Sequence, residues 1–593
     1  AKQGLLTAET VEKLSRYYIF LRNVEHALQY VDDKQTQMLA NDPAVVANIA
    51  AMLGMTPEGL TAHLAEVRSF VSGIFDGIFH TKAPKEEDER WPAGWRTGAE
   101  NLTDDLATTL KAFGIEAAQE LAGRILKMMR SRLLSARSQE PRDQLARFVM
   151  RVVQKAGDWA KLKASSVSAD VVLERYLQLL EVVIGRPTYV ALLNQYPEAA
   201  ERVGKMLAIS RWAGDYLAQH PLVLDELVDL RAVRIDDYTP VDTTAWVQQV
   251  TARIESAGDD RERQLNILRD AHHSAMFHLL LADLEGRLSV ERLADQLSAL
   301  ADAVLTVVMR LAWEAIPTRH CETPKFAVIG YGKLGGKELG YASDLDLIFL
   351  YEDDAPEAEM NYVKLVRRMI SWLTMQTSSG ILFDIDMRLR PNGENGLSVS
   401  SIEMFKRYQR NEDGNGAWFW EHQALTRARF CAGDPTVGEA FEAERKHILM
   451  LPRERSQVAR DVIEMRQKML DGHPNSTELF DVKQDRGGMV DVEFIVQMLV
   501  LTFSHEHPEL TNNFGNTLLT EMAARLGLIP EDLAEKVVNA YRHYRNIQRE
   551  IRLSRGEDAR SRVPVDDVKD DRNAVLQLWN VVFQTDEPQP KKA

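Results

Sequence analysis

Apolar residues recur at helical spacing over most of the chain. In "TAETVEKLSRYYIFLRNVEHALQYV", Val11, Leu14, Tyr18, Leu21 and Val24 follow the helical repeat, which predicts an amphipathic helix capped at Thr7. "TPEGLTAHLAEVRSFVSGIFDGIF" predicts a second, with Thr56 suited to the cap and Pro57 to the first helical position. The charged stretch "HTKAPKEEDERWPAGWRTG" carries two prolines and reads as an exposed loop. Helices resume near Asp104, turn near Pro141, and continue as short segments punctuated by Pro197 and Pro221, before irregular text around Thr239 and Pro240. "RQLNILRDAHHSAMFHLLLADL" is helical again. Its adjacent His272 and His273 point in different directions around the axis, so they read as helix surface or interface residues and not as a metal pair.

From Cys321 the period changes from helical to alternating. "KFAVIG", "DLDLIFLY" and "ILFDIDMRLR" predict strands, "NYVKLVRRMISWLTMQ" a helix, and "GYGKLGGKELG" a glycine-rich loop between the first two strands. After Ala432 helices return as far as about Ser554, and the tail "NVVFQTDEPQPKKA" reads as frayed. The predicted class is α+β: a mostly helical multidomain chain with an inserted module of mixed β-sheet and helices.

That module carries the candidate chemistry. Side chains on a strand alternate faces, so Asp344 and Asp346 share one face while Leu345, Leu347 and Phe349 take the other. Two carboxylates this close repel, and a divalent cation removes the conflict. By the same alternation Asp384, Asp386, Arg388 and Arg390 share a face of the third strand, offering a third acid and two phosphate-reading guanidiniums. Gly335 and Gly336 suit close approach of backbone N–H groups to a phosphate, and Lys333 or Lys337 could add a positive charge. The loop is not a P-loop, because Glu338 stands where Ser or Thr is needed. "GYGKLG" matches the dinucleotide fingerprint literally, yet the segment after it is too short for that fold's helix. The combination suggests nucleotidyl transfer, with metal ions clamping a triphosphate and arginines neutralising charge on the phosphorus oxygens.

Composition narrows the partners. With 72 basic and 88 acidic residues the formal charge is -16, which disfavours bulk nucleic-acid binding. The two cysteines, Cys321 and Cys431, form no zinc spacing and no disulfide framework, so a reducing cytoplasm is expected. No apolar run reads as long enough to span a bilayer, and no membrane association is expected. The 593 residues exceed one core. The chain starts without Met and enters a helix almost at once, which reads as a piece of a longer chain. An internal echo agrees. At a constant offset of 523 (527 − 4), Gly4, Leu5, Lys13, Tyr18, Arg22 and Asn23 meet Gly527, Leu528, Lys536, Tyr541, Arg545 and Asn546, which suggests a tandem duplication.

Four phrases carry a family resemblance: "GYGKLGGKELGYASDLDLIFLYE", "DIDMRLRPNGENG", "AWFWEHQALTRARFCAGD" and "DVKQDRGGMVDVEFIVQ". The chain resembles the nucleotidyltransferase superfamily that includes DNA polymerase beta. Within it, the chain is similar to the bifunctional glutamine synthetase adenylyltransferase/adenylyl-removing family over roughly residues 150 to 560. The resemblance implies Mg2+-dependent transfer of AMP from ATP to a tyrosine of glutamine synthetase, with Mn2+ fitting the same oxygen-rich set. PII signalling protein and glutamine would be the regulators. It places Asp344, Asp346 and Asp386 as catalytic, metal-binding acids, and Gly335, Gly336, Lys333, Lys337, Ser343, Arg388 and Arg390 near the ATP phosphates. Asp384, Glu421, Arg427, Arg429, Lys483, Asp491 and Glu493 become candidates for orienting nucleotide or partner, while Trp418 and Trp420 read as packed.

The implied domains are a helical tail of the upstream adenylyl-removing half with its linker (1–130) and a helical N-terminal part of the transferase half (131–270). A polymerase beta-like nucleotidyltransferase catalytic domain (271–440), a C-terminal helical domain (441–560) and a partly ordered tail (561–593) follow. The removing half's DxD strand is absent from this sequence, so no removing activity is expected. The rival readings are a transferase acting on RNA or a small molecule, and a non-catalytic nucleotide-binding regulatory scaffold.

Overall fold

The structure, a computed structural model, describes residues 8–32, 42–79, 90–135, 139–165, 167–226, 242–393, 396–556 and 559–584. Thr7, Thr239, Pro240 and the tail beyond 584 lie outside these residues. The chain divides into two compact units, Ala1–Trp91 and Pro92–Ala593.

The first unit contains the helices Ala8–Asp32, Pro43–Met52 and Pro57–Phe79. Asp42 caps the second through the amide of Ala44, and Thr56 caps the third through the amide of Gly59 at 3.1 Å, with Pro57 behind it as expected. A small core joins Val24, Ala27, Leu28, Ile49, Ala50 and Leu60. The buried face of the first helix runs through Tyr17, Val24, Ala27 and Leu28, whereas Tyr18 (65% exposed) and Leu21 (38%) face solvent. The apolar spacing therefore predicted the helix correctly and its inward face only in part.

In the second unit, helices from Thr103 to Gln219 form a packed layer. Residues 92–130 pack here and not with the upstream helices, because Ala118–Met129 buries Leu121, Ile125 and Met129 and packs on Ala169–Val183. Pro141 lies inside the first turn of Gln139–Ala160, where its missing N–H costs nothing, so the new helix opens two residues before it; residues 136–138, which link it to Arg132–Ser135, lie outside the described residues. Pro197 and Pro221 open helical segments, as expected. Val290–Glu314 passes the length and hydropathy test for a membrane span, contrary to the reading of the bare sequence, yet 67% of its apolar window is buried inside the protein. His272 and His273 lie at an interface, 2% and 6% exposed, because Arg261–Leu284 is covered on almost every side.

The sheet of this unit is ordered β3-β2-β1-β5, with β4 (Ser400–Ser401) also pairing β2. β1 (Phe326–Gly330) runs antiparallel to β2 (Leu345–Tyr351) and to β5 (Arg429–Gly433), while β3 (Ile385–Asp386) and β4 are parallel to β2. One sheet face stacks Phe326 and Phe349 toward Tyr362 and Trp313. Ala327, Ile329, Ile348 and Leu350 on the other enter a core that continues through Phe441 into the C-terminal helices at Val496, Leu499, Tyr541 and Tyr544. A two-stranded ladder, β6 (Phe480–Asp481) with β7 (Arg562–Val563), ties the last helix pair together.

Candidate nucleotidyl-transfer site

The site lies at the start of β2. Every residue of β2 is buried except Asp346. Farther along the same face, Ile348 and Leu350 join the core, so the acids occupy the open end of the strand and not a polar side of the sheet. Parallel pairing sets Asp346 directly beside Asp386. Burial and the charges of Asp344 and Asp386 push the Asp346 carboxyl up to about 6. Asp346 thus lies within reach of the charges of both other acids.

The third strand is much shorter than its sequence suggests. It ends at Asp386, because the Arg388 amide donates to the Asp386 carboxylate at 2.8 Å and turns the chain. The Arg388 guanidinium then grips both carboxylate oxygens, the closest contact being 2.5 Å, and holds the Asp386 carboxyl below the usual range. Arg390 does not share that face. Its guanidinium donates to the carbonyls of Gly396 and Met387 and braces the following loop. Asp384 is exposed beside the site.

The glycine loop also differs from expectation. Residues Gly332–Gly335 form a single helical turn. The amides of Gly335 and Gly336 donate to the carbonyls of Tyr331 and Gly332, so neither reaches toward a phosphate. These two glycines are needed for packing, since a Cβ at either would strike Arg427. The glycine against the acids is Gly332, with φ +54°, where a Cβ would overlap the Asp346 carboxylate. Nothing in the string of five glycines distinguished it; only the backbone angle does.

Lys333 extends from this turn and is buried enough that its ammonium is lowered to about 8, with Arg552 and Lys483 repelling it and Asp344 and Glu493 supporting it. Lys337 is exposed and acts on Asp295 and Asp302 instead, because its own positive φ of 54° turns it out of the loop. Ser343 is buried, and its hydroxyl accepts the Gly340 amide at 3.0 Å to close the turn before Asp344.

Of the remaining candidates, Arg427, Glu493 and Lys483, whose charge acts on Lys333, reach the site, and three do not. Arg427 bridges Glu338 (2.6 Å) and Glu493 (3.2 Å), and its charge lowers the Asp346 carboxyl. Glu338 also accepts Tyr541 Oη and Asn516 Nδ2, a clamp that sequence reading passed over. Asp491 is fully buried, paired with Arg466 at 2.6 Å and with the Gly487 amide, so it is a structural ion pair. Arg429 is a buried bidentate partner of Asp302. Glu421 caps its helix at Trp418 and accepts Tyr408 Oη. Trp418 is 70% exposed and not packed, since it stands at that helix's N-cap.

The donor set suits a hard divalent cation: three carboxylates, one of them half-buried and destabilised by the other two. Among the described residues, the grouping whose ligand atoms already lie within 4.8 Å of one another is a different one, His320, Cys321 and Asp353. There His320 is spent on Asp353 and Asn361, and Asp353 also accepts Tyr362 Oη, a hydrogen-bond network complete without an ion. The acid triad is more open. Gathering it takes rotation of the exposed Asp344 and release of Asp386 from Arg388, whose side chain is 73% exposed.

Carboxylates from neighbouring strands, a tight glycine turn and flanking cations define a nucleotidyltransferase-like module set into a helical chain. Residues 200–444 match the family described as glutamate-ammonia ligase adenylyltransferase, and residues 1–79 and 457–581 match the GlnD PII-uridylyltransferase family. Proteins called bifunctional glutamine synthetase adenylyltransferase/adenylyl-removing enzyme are similar over 98% of the chain. Those from Burkholderia pseudomallei and Ralstonia nicotianae are each 44% identical, and that from Nitrosomonas europaea is 41% identical. The chain is homologous to these enzymes. It spans 62%, 60% and 63% of their respective lengths, about three fifths of the curated relatives it matches.

Proposed function

We propose that the chain transfers AMP from ATP to a tyrosine of glutamine synthetase, releasing pyrophosphate and so regulating nitrogen assimilation in the cytoplasm. The observation that carries this reading is the pairing of Asp346 beside Asp386, with Asp344 close enough to help raise the Asp346 carboxyl to about 6. Asp344, Asp346 and Asp386 would hold Mg2+ or Mn2+. When bound, the cation supplies Lewis acidity toward the phosphate oxygens and the attacking hydroxyl. The tyrosine oxygen forms a bond to the α-phosphorus in line with the bridging oxygen. That bridging bond breaks, its electron pair leaves on pyrophosphate, and the phenolic proton passes to Asp386. Release of Asp386 from Arg388 frees the acceptor oxygens and restores their basicity. Arg388, once free, is available to the phosphorus oxygens, and Lys333 adds positive charge from the glycine turn.

Glutamine synthetase, PII and glutamine enter as partner and effectors through the resemblance, with no nucleic acid and no membrane. The two segments matching one uridylyltransferase family support a duplicated architecture, with residues 1–79 as a helical tail of an adenylyl-removing half and no removing activity in this chain. The test is incubation with labelled ATP and Mg2+ in the presence of glutamine synthetase or RNA, followed by mass detection of AMP on tyrosine. Label on RNA, or equal label from an Asp346→Asn variant, would overturn the assignment.

A further inference from the structure

A cleft opens between the loop Leu339–Ser343, just before Asp344, and the helix Glu531–Arg555. Lys333 lines it from the glycine turn, and Arg545, Arg549 and Arg552 line it from the helix. The three arginines are spaced i, i+4 and i+7, so they form one stripe. Arg549 is tied to Asp283 at 2.8 Å. Lys333 and Arg545 have neither a hydrogen bond nor an ion pair from their side chains among the described residues. Like charges are therefore gathered without full compensation, and Arg552 and Lys483 repel the Lys333 ammonium. Glu338, which also lines the cleft, and Asp295 act on Arg545, and Asp344 and Glu493 support Lys333, so the cations are balanced in part and remain suited to a multiply charged anion. The internal repeat adds a separate point. At the offset of 523 (545 − 22), Arg22–Asn23 in the helix Ala8–Asp32 stand where Arg545–Asn546 do in Glu531–Arg555.

We infer that Arg545 and Arg552 of the C-terminal helix, together with Lys333, bind the β- and γ-phosphates of the nucleotide and hold the departing pyrophosphate. The proposal deepens the transfer reading and rests on it. Ser343 borders this cleft and also a second one that Asp344 and Asp384 line. A polyphosphate in the cationic cleft leaves the acid-lined side for the acceptor hydroxyl, as in-line displacement requires. The leaving-group site is then built from two domains, and catalysis depends on how the C-terminal helix seats against the module. That seating is made by Tyr541, which donates to Glu338 at 2.9 Å.

Calorimetric titration of the full chain with inorganic pyrophosphate, with and without Mg2+, tests the inference. The parent should bind, and Arg545→Gln and Arg552→Gln should each bind about 10- to 100-fold more weakly, the worth of one charge-assisted contact. Arg545→Lys should recover part of the loss. Arg542→Gln, on the outer face and paired with Glu291 at 2.8 Å, should bind like the parent. In transfer assays the Arg545→Gln variant should show a raised KM for ATP. Pyrophosphate binding by Arg545→Gln equal to the parent's, or none by the parent, would overturn the inference even if AMP transfer proceeds. Binding lost as expected, with no tyrosine ever labelled, would instead overturn the acceptor reading and leave the cationic site standing.

Discussion

Replacing Asp346 with Asn should make the metal-free protein more stable while removing its activity. Burial, Asp344 and Asp386 raise the Asp346 carboxyl from 3.8 to about 6. At about 1.4 kcal/mol per pKa unit, keeping this group ionised at neutral pH costs the folded chain about 3 kcal/mol. The folded carboxyl binds its proton more tightly than the unfolded one. Its contribution to stability is therefore fully present below pH 3.8 and is lost as pH rises through about 6. Asn carries no charge, so at pH 7.5 the variant escapes the penalty. For the unit Pro92–Ala593, about 500 residues at about 2.1 cal/mol/K each, 3 kcal/mol corresponds to a rise in Tm of about 3 °C. Thermal unfolding in EDTA across pH 4 to 8 is the assay. The gain should shrink to nothing near pH 4, where the parent carboxyl is also protonated. Mg2+ should raise the Tm of the parent and have little effect on the variant, while AMP transfer falls by at least about 100-fold. A variant less stable than the parent at pH 7.5 in EDTA, or a gain that persists at pH 4, would refute the claim that burial and the neighbouring carboxylates together raise the Asp346 carboxyl.

Three further outcomes follow from the same contacts. Arg388→Ala frees Asp386, so the half-saturating Mg2+ concentration should fall while kcat also falls; a higher Mg2+ requirement would contradict competition between guanidinium and cation. Gly332→Ala places a methyl group against the Asp346 carboxylate at φ +54°, costing about 1–2 kcal/mol in backbone strain alone. Its transfer rate should drop far more than its Tm, which paired activity and melting measurements would show. Asp491→Asn leaves buried Arg466 without its charge partner and should cost about 3–5 kcal/mol. Its remaining activity should track the folded fraction in denaturant titrations, since Asp491 is not part of the transfer machinery.

The acids were legible because strand alternation is a local rule. Asp346 and Asp386 needed only the right register, which β2 and β3 supply, while Asp344 stands just ahead of β2. Arg390 and the Gly335–Gly336 pair misled for the opposite reason. Whether a strand continues past Asp386 depends on a side chain turning back on its own backbone, and whether a glycine amide is free depends on a single helical turn. Neither leaves a periodic trace. Asp491, Glu421 and Arg429 looked functional because charged residues inside apolar text imply a purpose. Their purpose is a buried ion pair, a local helix cap and a bidentate brace, and the two ion pairs need partners well separated along the chain. The cationic cleft was equally hidden, since Arg545 lies more than 200 residues from Lys333 (545 − 333).

The two copies of the repeated helix separate what sequence encodes from what surroundings decide. Both segments are helical over the positions they share, so helicity travels with the sequence. Burial does not. Tyr541 is 1% exposed, and its counterpart Tyr18 is 65% exposed; Leu553 is 6% exposed, and Tyr30 is 81%. In the second copy these positions meet the nucleotidyltransferase-like module, where Tyr541 also finds Glu338. An apolar stripe thus fixes that a helix forms and roughly which side is greasy, because both follow from residues three and four apart. Which part of that side becomes core depends on a neighbour supplied by distant sequence. The same logic applies to Arg545. Its helix guarantees that it sits one turn from Arg549, but only the docked module, bringing Lys333 and Ser343 opposite, turns a row of surface cations into a cleft for an anion.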